Sequence, residues 1–347
     1  MSGRLSSNIW SASTAYKREM PESICLPTEP ACGGFLVHAR QCGLLLDRPD
    51  LNTIQLVSLY VARQRDSDDP FIQSLPRDLS SFPLLSQPSL ESLPAFVCGP
   101  VADVQKRFTQ DWHAVDSHND DEIIDFDAFR WAWLCVNSRC VWLDLDYEAH
   151  EENFTLVPLL DMANHSSTCA NATVKYDHAH FELKLTRPVK RGEEIVFEYG
   201  GHDQATLWAE YGFIESSNPH ERIDLTARVM SLLDKKQASV KVLRQHHYLG
   251  DYTLDWVDGT IAPSWRLLVA LRLLCATEQH DAWLSMIAGE RDDISTDNDQ
   301  RVGDLLANLA QAEQAQMQED HAKASLPVVR EMIRGRLAML DAFLGAV

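Results

Sequence analysis

The chain has 347 residues, 45% of them hydrophobic and 24% charged, a composition that excludes disordered, fibrous and collagen-like proteins. Its 31 basic and 51 acidic side chains give a formal charge of −20, which repels phosphate backbones and anionic lipid and favours encounter with a basic polypeptide. The most apolar stretch, residues 264–276, carries Arg266 and Arg272 and falls short of the about 20 uninterrupted apolar residues that cross a bilayer, so neither nucleic acid nor membrane is expected as a partner.

Residues 1–50 are rich in Ser, Pro, Gly and Cys and show little periodicity. The 8 cysteines include no CxxC pair, which points to reduced thiols and an intracellular, cytoplasmic or nuclear protein. From Leu51 the apolar positions Ile54, Val57 and Val61 predict a helix, with Asp50 as its N-cap, running to about Arg65. A Ser/Pro-rich loop is expected over residues 66–100, followed by helices over residues 101–115 and 126–139. Past Glu152 the pattern changes. Val174 and Tyr176, then Phe181, Leu183 and Leu185, alternate like half-buried strands, and Pro188 to Glu193 forms a turn before a short strand ending at Tyr199. From Glu221 onward the spacing of Leu225, Val229 and Leu232, of Leu267, Leu271 and Leu274, and of Val329, Met332 and Ile333 is helical and predicts a bundle. A polar linker over residues 292–299 interrupts it.

Three short stretches carry chemistry: Asp161-Met162-Ala163-Asn164-His165-Ser166, then Arg191-Gly192-Glu193-Glu194-Ile195 leading to Glu198-Tyr199-Gly200, and Tyr211-Gly212-Phe213. By residue type alone, Asn164 and His165 could be buried polar groups satisfying their neighbours, and Tyr199 an aromatic packed inward. Together, however, the stretches resemble the SET domain of protein lysine methyltransferases, and more narrowly the Rubisco large-subunit methyltransferase type, which includes fungal ribosomal-protein lysine methyltransferases. The resemblance runs from about Leu51 to the C-terminus.

That resemblance implies an α+β fold: a SET β core split by a helical insert, then an all-α C-terminal substrate-binding domain. Residues 1–50 would be a degenerate or truncated N-terminal SET segment, 51–150 the insert, 151–216 the rest of the SET core and 221–347 the helical domain. It implies S-adenosylmethionine as cofactor, held by Asn164, His165 and Arg139 together with Gly33, Gly34 and Phe35, whose stretch is similar to the glycine-rich opening of a SET domain. Tyr199 matches the catalytic tyrosine, while Asp161, Tyr176 and Tyr211 match positions lining the lysine channel. Asp161 could equally satisfy local backbone, and Arg139 could form an ordinary salt bridge. Only a short stretch separates Gly34 from the helix at Leu51, so several SET strands are missing from the sequence pattern and cofactor affinity is expected to be weak.

His178, His180, Asp177 and His202 lack a well-spaced further ligand, so no metal is expected. The implied function is methyl transfer to a lysine of a basic protein such as a ribosomal protein or a histone. A non-catalytic SET-fold adaptor and a protein-histidine methyltransferase are the alternatives.

Overall fold

The computed structural model describes residues 23–27, 50–117, 124–142, 153–177, 180–276 and 280–346. The chain divides into two units, residues 1–80 with 105–201 and residues 81–104 with 202–347.

In the first unit the helix Thr53–Arg63 starts at Asn52 rather than at Asp50. The Asn52 side chain accepts from the Gln55 amide at 2.9 Å and the Gln55 side chain accepts from the Asn52 amide at 2.9 Å, a reciprocal cap that Asp50 is too far upstream to make. This helix packs on Phe126–Arg139, and Leu56, Val57, Val61, Phe129, Ala132, Trp133 and Val136 are buried in their core. One carboxylate fastens the two together: Asp111 accepts from the Trp133 indole at 2.7 Å and from the Gln55 amide group at 2.8 Å. The Trp131 indole donates to the Pro76 carbonyl at 2.8 Å, with the Arg77 guanidinium over its ring. The expected loop over residues 66–100 is in part helical. Pro70–Ser74 and Pro83–Ser86 each begin with proline at the first helical position, where its missing N–H costs nothing. The next helix, Ala95–Asp116, begins six residues before the expected start at Val101 and keeps Pro100 inside it.

The strands of this unit are short. His180–Leu185 lies between Ala172–Asp177 and Ser23–Pro27, antiparallel to both, with Leu183 opposite Val174 on one side and Ile24 on the other. The strand Ser23–Pro27 was not visible in the sequence. Cys140–Trp142 pairs antiparallel with Phe154–Leu156, and the two-residue strands Asn164–His165 and Val196–Phe197 pair in parallel. Val157, Leu160, Ala172 and Leu183 form the buried centre, with Val141, Val174, Ile195 and Phe197 packed against it.

The second unit is helical, as expected, but not wholly. Between the helices Gln237–Gln245 and Trp265–Cys275 lies a hairpin, Thr253–Val257 with Thr260–Pro263, and Arg222–Asp224 adds a third strand. Asp258 and Gly259 both take positive φ, 50° and 80°, which is the mirror-image turn that matches strand twist. The all-α expectation for this region is therefore corrected by a small antiparallel sheet. The linker expected over residues 292–299 ends earlier, because Ser295 caps the helix Thr296–Lys323.

Helix Gln204–Tyr211 is capped by Asp203 and closed by Gly212 at φ 78°, where an added Cβ would meet the Phe82 ring at 2.8 Å. Its start is held by a buried ion network. Arg336, 3% exposed, donates to Glu221 at 2.6 Å, lies 3.4 Å from Asp203 and covers the Phe96 ring at 3.7 Å. Glu221 also accepts from the Gln204 amide at 2.9 Å. Arg336→Met leaves two carboxylates buried without their cation and should lower unfolding free energy by about 3–5 kcal/mol in urea titration. Lys323→Met, in an exposed pair with Glu319, should change it by less than about 0.5 kcal/mol.

Candidate active site

After the strand Phe154–Leu156 the chain turns sharply. Leu159 takes φ 78°, ψ −41°, a strained conformation for a residue with a side chain, and Leu160–Met162 follows as a single 3-10 turn. The Asp161 amide donates to the Val157 carbonyl at 3.1 Å and the Ala163 amide to the Leu160 carbonyl at 2.9 Å, so the turn is closed by its own backbone. The chain then enters the parallel pairing, Asn164 opposite Val196 and His165 opposite Phe197.

Asn171 clamps this crossing. Buried at 1% exposure, it accepts from the Val196 amide at 2.9 Å and donates to the Glu194 carbonyl at 2.8 Å through its side chain, while its amide donates to the Val196 carbonyl at 3.0 Å. The Ser166 amide adds a bond to the Phe197 carbonyl at 3.2 Å. Asn164 is exposed, and its side-chain amide donates to Glu194. Asn171 was not singled out in the sequence, and Glu194 stood there only as part of its turn motif. An asparagine just before an alternating strand was the only local signal for the first.

Tyr199 is held at both ends. Its amide donates to His165 Nδ1 at 3.0 Å, which requires that nitrogen to be unprotonated, and its hydroxyl donates to the Ala163 carbonyl at 2.8 Å. Its ring rests against His165 and Phe197, with centroids 5.2 and 5.1 Å away. A phenol whose proton is committed to a carbonyl turns its oxygen lone pairs toward any third group, so it can accept from an amine or face a polarised methyl.

Arg139, the last residue of its helix, meets the same turn. Its Nη1 donates to the Asp161 carbonyl at 2.6 Å and lies 3.6 Å from the Asp161 carboxylate. The Asp161 side chain is 1% exposed and the Arg139 side chain 25%. Burial pushes the Asp161 carboxyl up to about 6, against the pull of Arg139 and of the Leu159 and Asp161 amides that face it. Burial also pushes the Cys135 thiol up to about 12 and raises Cys140, so both remain thiols at neutral pH and neither is a nucleophile there.

The structure thus brings Asn164, His165 and Tyr199 together, and Arg139 with Asp161 beside them. Tyr211 belongs to the second unit, where its ring lies near His202 and Phe213. Tyr176 stands opposite Phe181 in the antiparallel sheet. Gly33, Gly34, Phe35 and His178, and the side chains of Tyr176, Asp177 and His180, lie outside the described residues.

The SET domain family matches residues 35–200, which include the parallel crossing of Asn164–His165 with Val196–Phe197 and Tyr199. The chain carries a SET domain over these residues. Residues 221–346 match a second family, the ribosomal lysine N-methyltransferase 2 C-terminal domain. SET domain-containing protein 4 of Homo sapiens is 30% identical over 262 residues, 68% of this chain and 57% of that protein. Ribosomal lysine N-methyltransferase set11 of Schizosaccharomyces pombe is 30% identical over 247 residues, 69% of this chain and 62% of that one. The chain thus spans less than two thirds of these relatives. Among solved structures, the SET domain of LSMT bound to lysine and AdoHcy superposes with a TM-score of 0.52 at 17% identity, over 90% of this chain and 79% of that one, a likeness of fold.

The Asp161 carboxyl has a measurable signature. Its folded pKa of about 6 lies above the unfolded value of 3.8, so between about pH 4 and 6 the folded state holds more protons and stability falls as pH rises. The loss from this group should be on the order of 3 kcal/mol over that window. Urea unfolding from pH 4 to 7 should show this loss in the wild type and its disappearance in Asp161→Asn.

Proposed function

We propose that the protein is an S-adenosylmethionine-dependent protein-lysine N-methyltransferase. The observation that carries this is Tyr199, fixed by the Ala163 carbonyl beside the Asn164–His165 crossing. The names of the relatives and the solved LSMT complexes, one bound to AdoMet and one to lysine and AdoHcy, support it. The described residues fit such a cofactor: Asn164 is exposed, and the Arg139 side chain is 25% exposed. In this role Asn164, His165 and Arg139 hold the cofactor with Gly33, Gly34 and Phe35, and Tyr176 walls the lysine. Asp161 joins the substrate side through the turn it controls.

When bound, S-adenosylmethionine supplies a methyl group on a sulfonium, and one in-line displacement forms the N–C bond as the C–S bond breaks. The protein needs no nucleophile of its own. Its work is alignment: Tyr199 orients the neutral amine and faces the developing charge, and exclusion of water favours the neutral amine. The charge of −20 favours a basic protein substrate, and relatives named as ribosomal lysine methyltransferases support a ribosomal protein. Free thiols at Cys98, Cys135, Cys140, Cys169 and Cys275 support action in the cytoplasm or nucleus.

Labelled S-adenosylmethionine incubated with the protein and a cell extract should mark a lysine of an extract protein. Tyr199→Phe should slow this at least about tenfold, or 1.4 kcal/mol of barrier. An unchanged rate would remove Tyr199 from the chemistry; label on histidine would change the acceptor; cofactor binding without transfer would favour an adaptor. Binding of the marked protein to the full chain should weaken as ionic strength rises from 0.05 to 0.5 M, as attraction between opposite surface charges requires.

A further inference from the structure

A continuous chain of contacts joins Arg139 to Tyr199. The Arg139 guanidinium bonds the backbone carbonyl of Asp161 at 2.6 Å; Asp161 is the middle residue of the 3-10 turn; the residue after that turn is Ala163; and the Ala163 carbonyl accepts the Tyr199 hydroxyl at 2.8 Å. We propose that Arg139 is a positioning residue for the Tyr199 hydroxyl, acting through Asp161 and the turn that ends at Ala163. This rests on the methyltransferase role of Tyr199 and adds to it a residue that never touches the reacting atoms.

Three further observations favour it. First, the turn begins at strained Leu159, and such a conformation persists only where its surroundings over-determine it. The Asp161 carboxylate, buried to 1% exposure, faces the Leu159 amide on one side and Arg139 on the other, so it links the strained residue to the guanidinium. Second, Arg139 ends a helix anchored by buried indoles, Trp133 on Asp111 and Trp131 on the Pro76 carbonyl, so its origin is rigid. Third, a charged donor on a backbone carbonyl is roughly twice as strong as a neutral one, which suits it to fix a turn whose other closures are single amide bonds.

A displacement of about 1 Å at a reacting group can cost on the order of 100-fold in rate, so loosening the turn should be felt at Tyr199. With S-adenosylmethionine saturating for each variant by calorimetry, Arg139→Met should slow single-turnover transfer to the extract protein at least tenfold, a loss beyond any weakening of its hold on the cofactor. In a Tyr199→Phe background the same substitution should cost less than threefold, because the hydroxyl it positions is gone. Arg139→Lys should recover part of the rate by keeping one charged donor on the Asp161 carbonyl. Additive losses, or a rate that recovers fully once the cofactor is saturating, would leave Arg139 with cofactor binding alone and overturn the proposal.

A second readout needs no activity. With 3-fluorotyrosine incorporated and the Tyr199 fluorine resonance assigned by Tyr199→Phe, Arg139→Met should shift or broaden that resonance in the protein alone; an unmoved resonance overturns the proposal. If the wild type neither binds cofactor nor transfers methyl, the enzymatic reading fails while the fluorine shift still decides the positioning. Should Arg139→Met alone not fold, Arg139→Met with Asp161→Asn removes both buried charges and takes its place in the same comparison.

Discussion

Two residues of strand, Asn164 and His165, paired in parallel with Val196 and Phe197, set the position of everything else in the site. A two-residue bridge has few ladder bonds of its own, so it holds only because side chains bind it from both sides. Asn171 supplies this by bonding the Val196 amide and the Glu194 carbonyl with one amide group. His165 supplies it from within by accepting the Tyr199 amide on Nδ1. A buried asparagine with both ends satisfied is costly to replace, because any apolar substitute strands two backbone groups out of water.

The tyrosine gains its geometry from this crossing rather than from its own strand. Val196–Phe197 ends two residues before it, and the chain beyond is no longer laddered. Tyr199 is held by a bond at the amide, a bond at the hydroxyl and the rings of His165 and Phe197. Those restraints come from Ala163, His165 and Phe197, on both segments of the crossing. The hydroxyl is therefore as well placed as the turn before Asn164 allows, which is why strain at Leu159 and the buried charge at Asp161 are concentrated there.

What the sequence revealed and what it hid follow from distance along the chain. Asn164, His165 and Tyr199 stand in short runs whose residue types are distinctive, and the alternation from Val174 to Leu185 matches the strands found there. Helical spacing after Glu221 was equally plain. The cap at Asn52 was missed for Asp50 because both are capping residue types and only the Gln55 partner separates them. Asn171 acts on residues 23 and 25 positions away, and Arg139 on one 22 away, separations at which local pattern carries no information. The hairpin turn Asp258-Gly259 was legible in principle, but leucine stripes on either side outweighed five residues of alternation. Ser23–Pro27 pairs with a strand more than 150 positions later, so nothing near it in sequence marks it as part of a sheet.

The charge of the protein poses a problem that the site resolves locally. On the proposed methyltransferase reading the acceptor must be a neutral amine, while a net charge of −20 favours ammonium ions near the surface and would raise a lysine pKa. On that reading an acidic exterior would aid encounter with a basic partner and oppose the chemistry once it has docked. Asp161 is the carboxylate nearest in sequence to the Ala163 carbonyl, and an uncompensated charge there would hold the ammonium form. Burial raises its pKa to about 6 and Arg139 lies 3.6 Å from it, so its field on the site is offset by a cation at short range. Charges far from the site are screened within about 8–10 Å of salt solution, whereas a buried pair is screened little. The Arg139–Asp161 pair therefore adds little net charge of its own to the turn that ends at Ala163, while the excess of acidic side chains lies elsewhere in the chain.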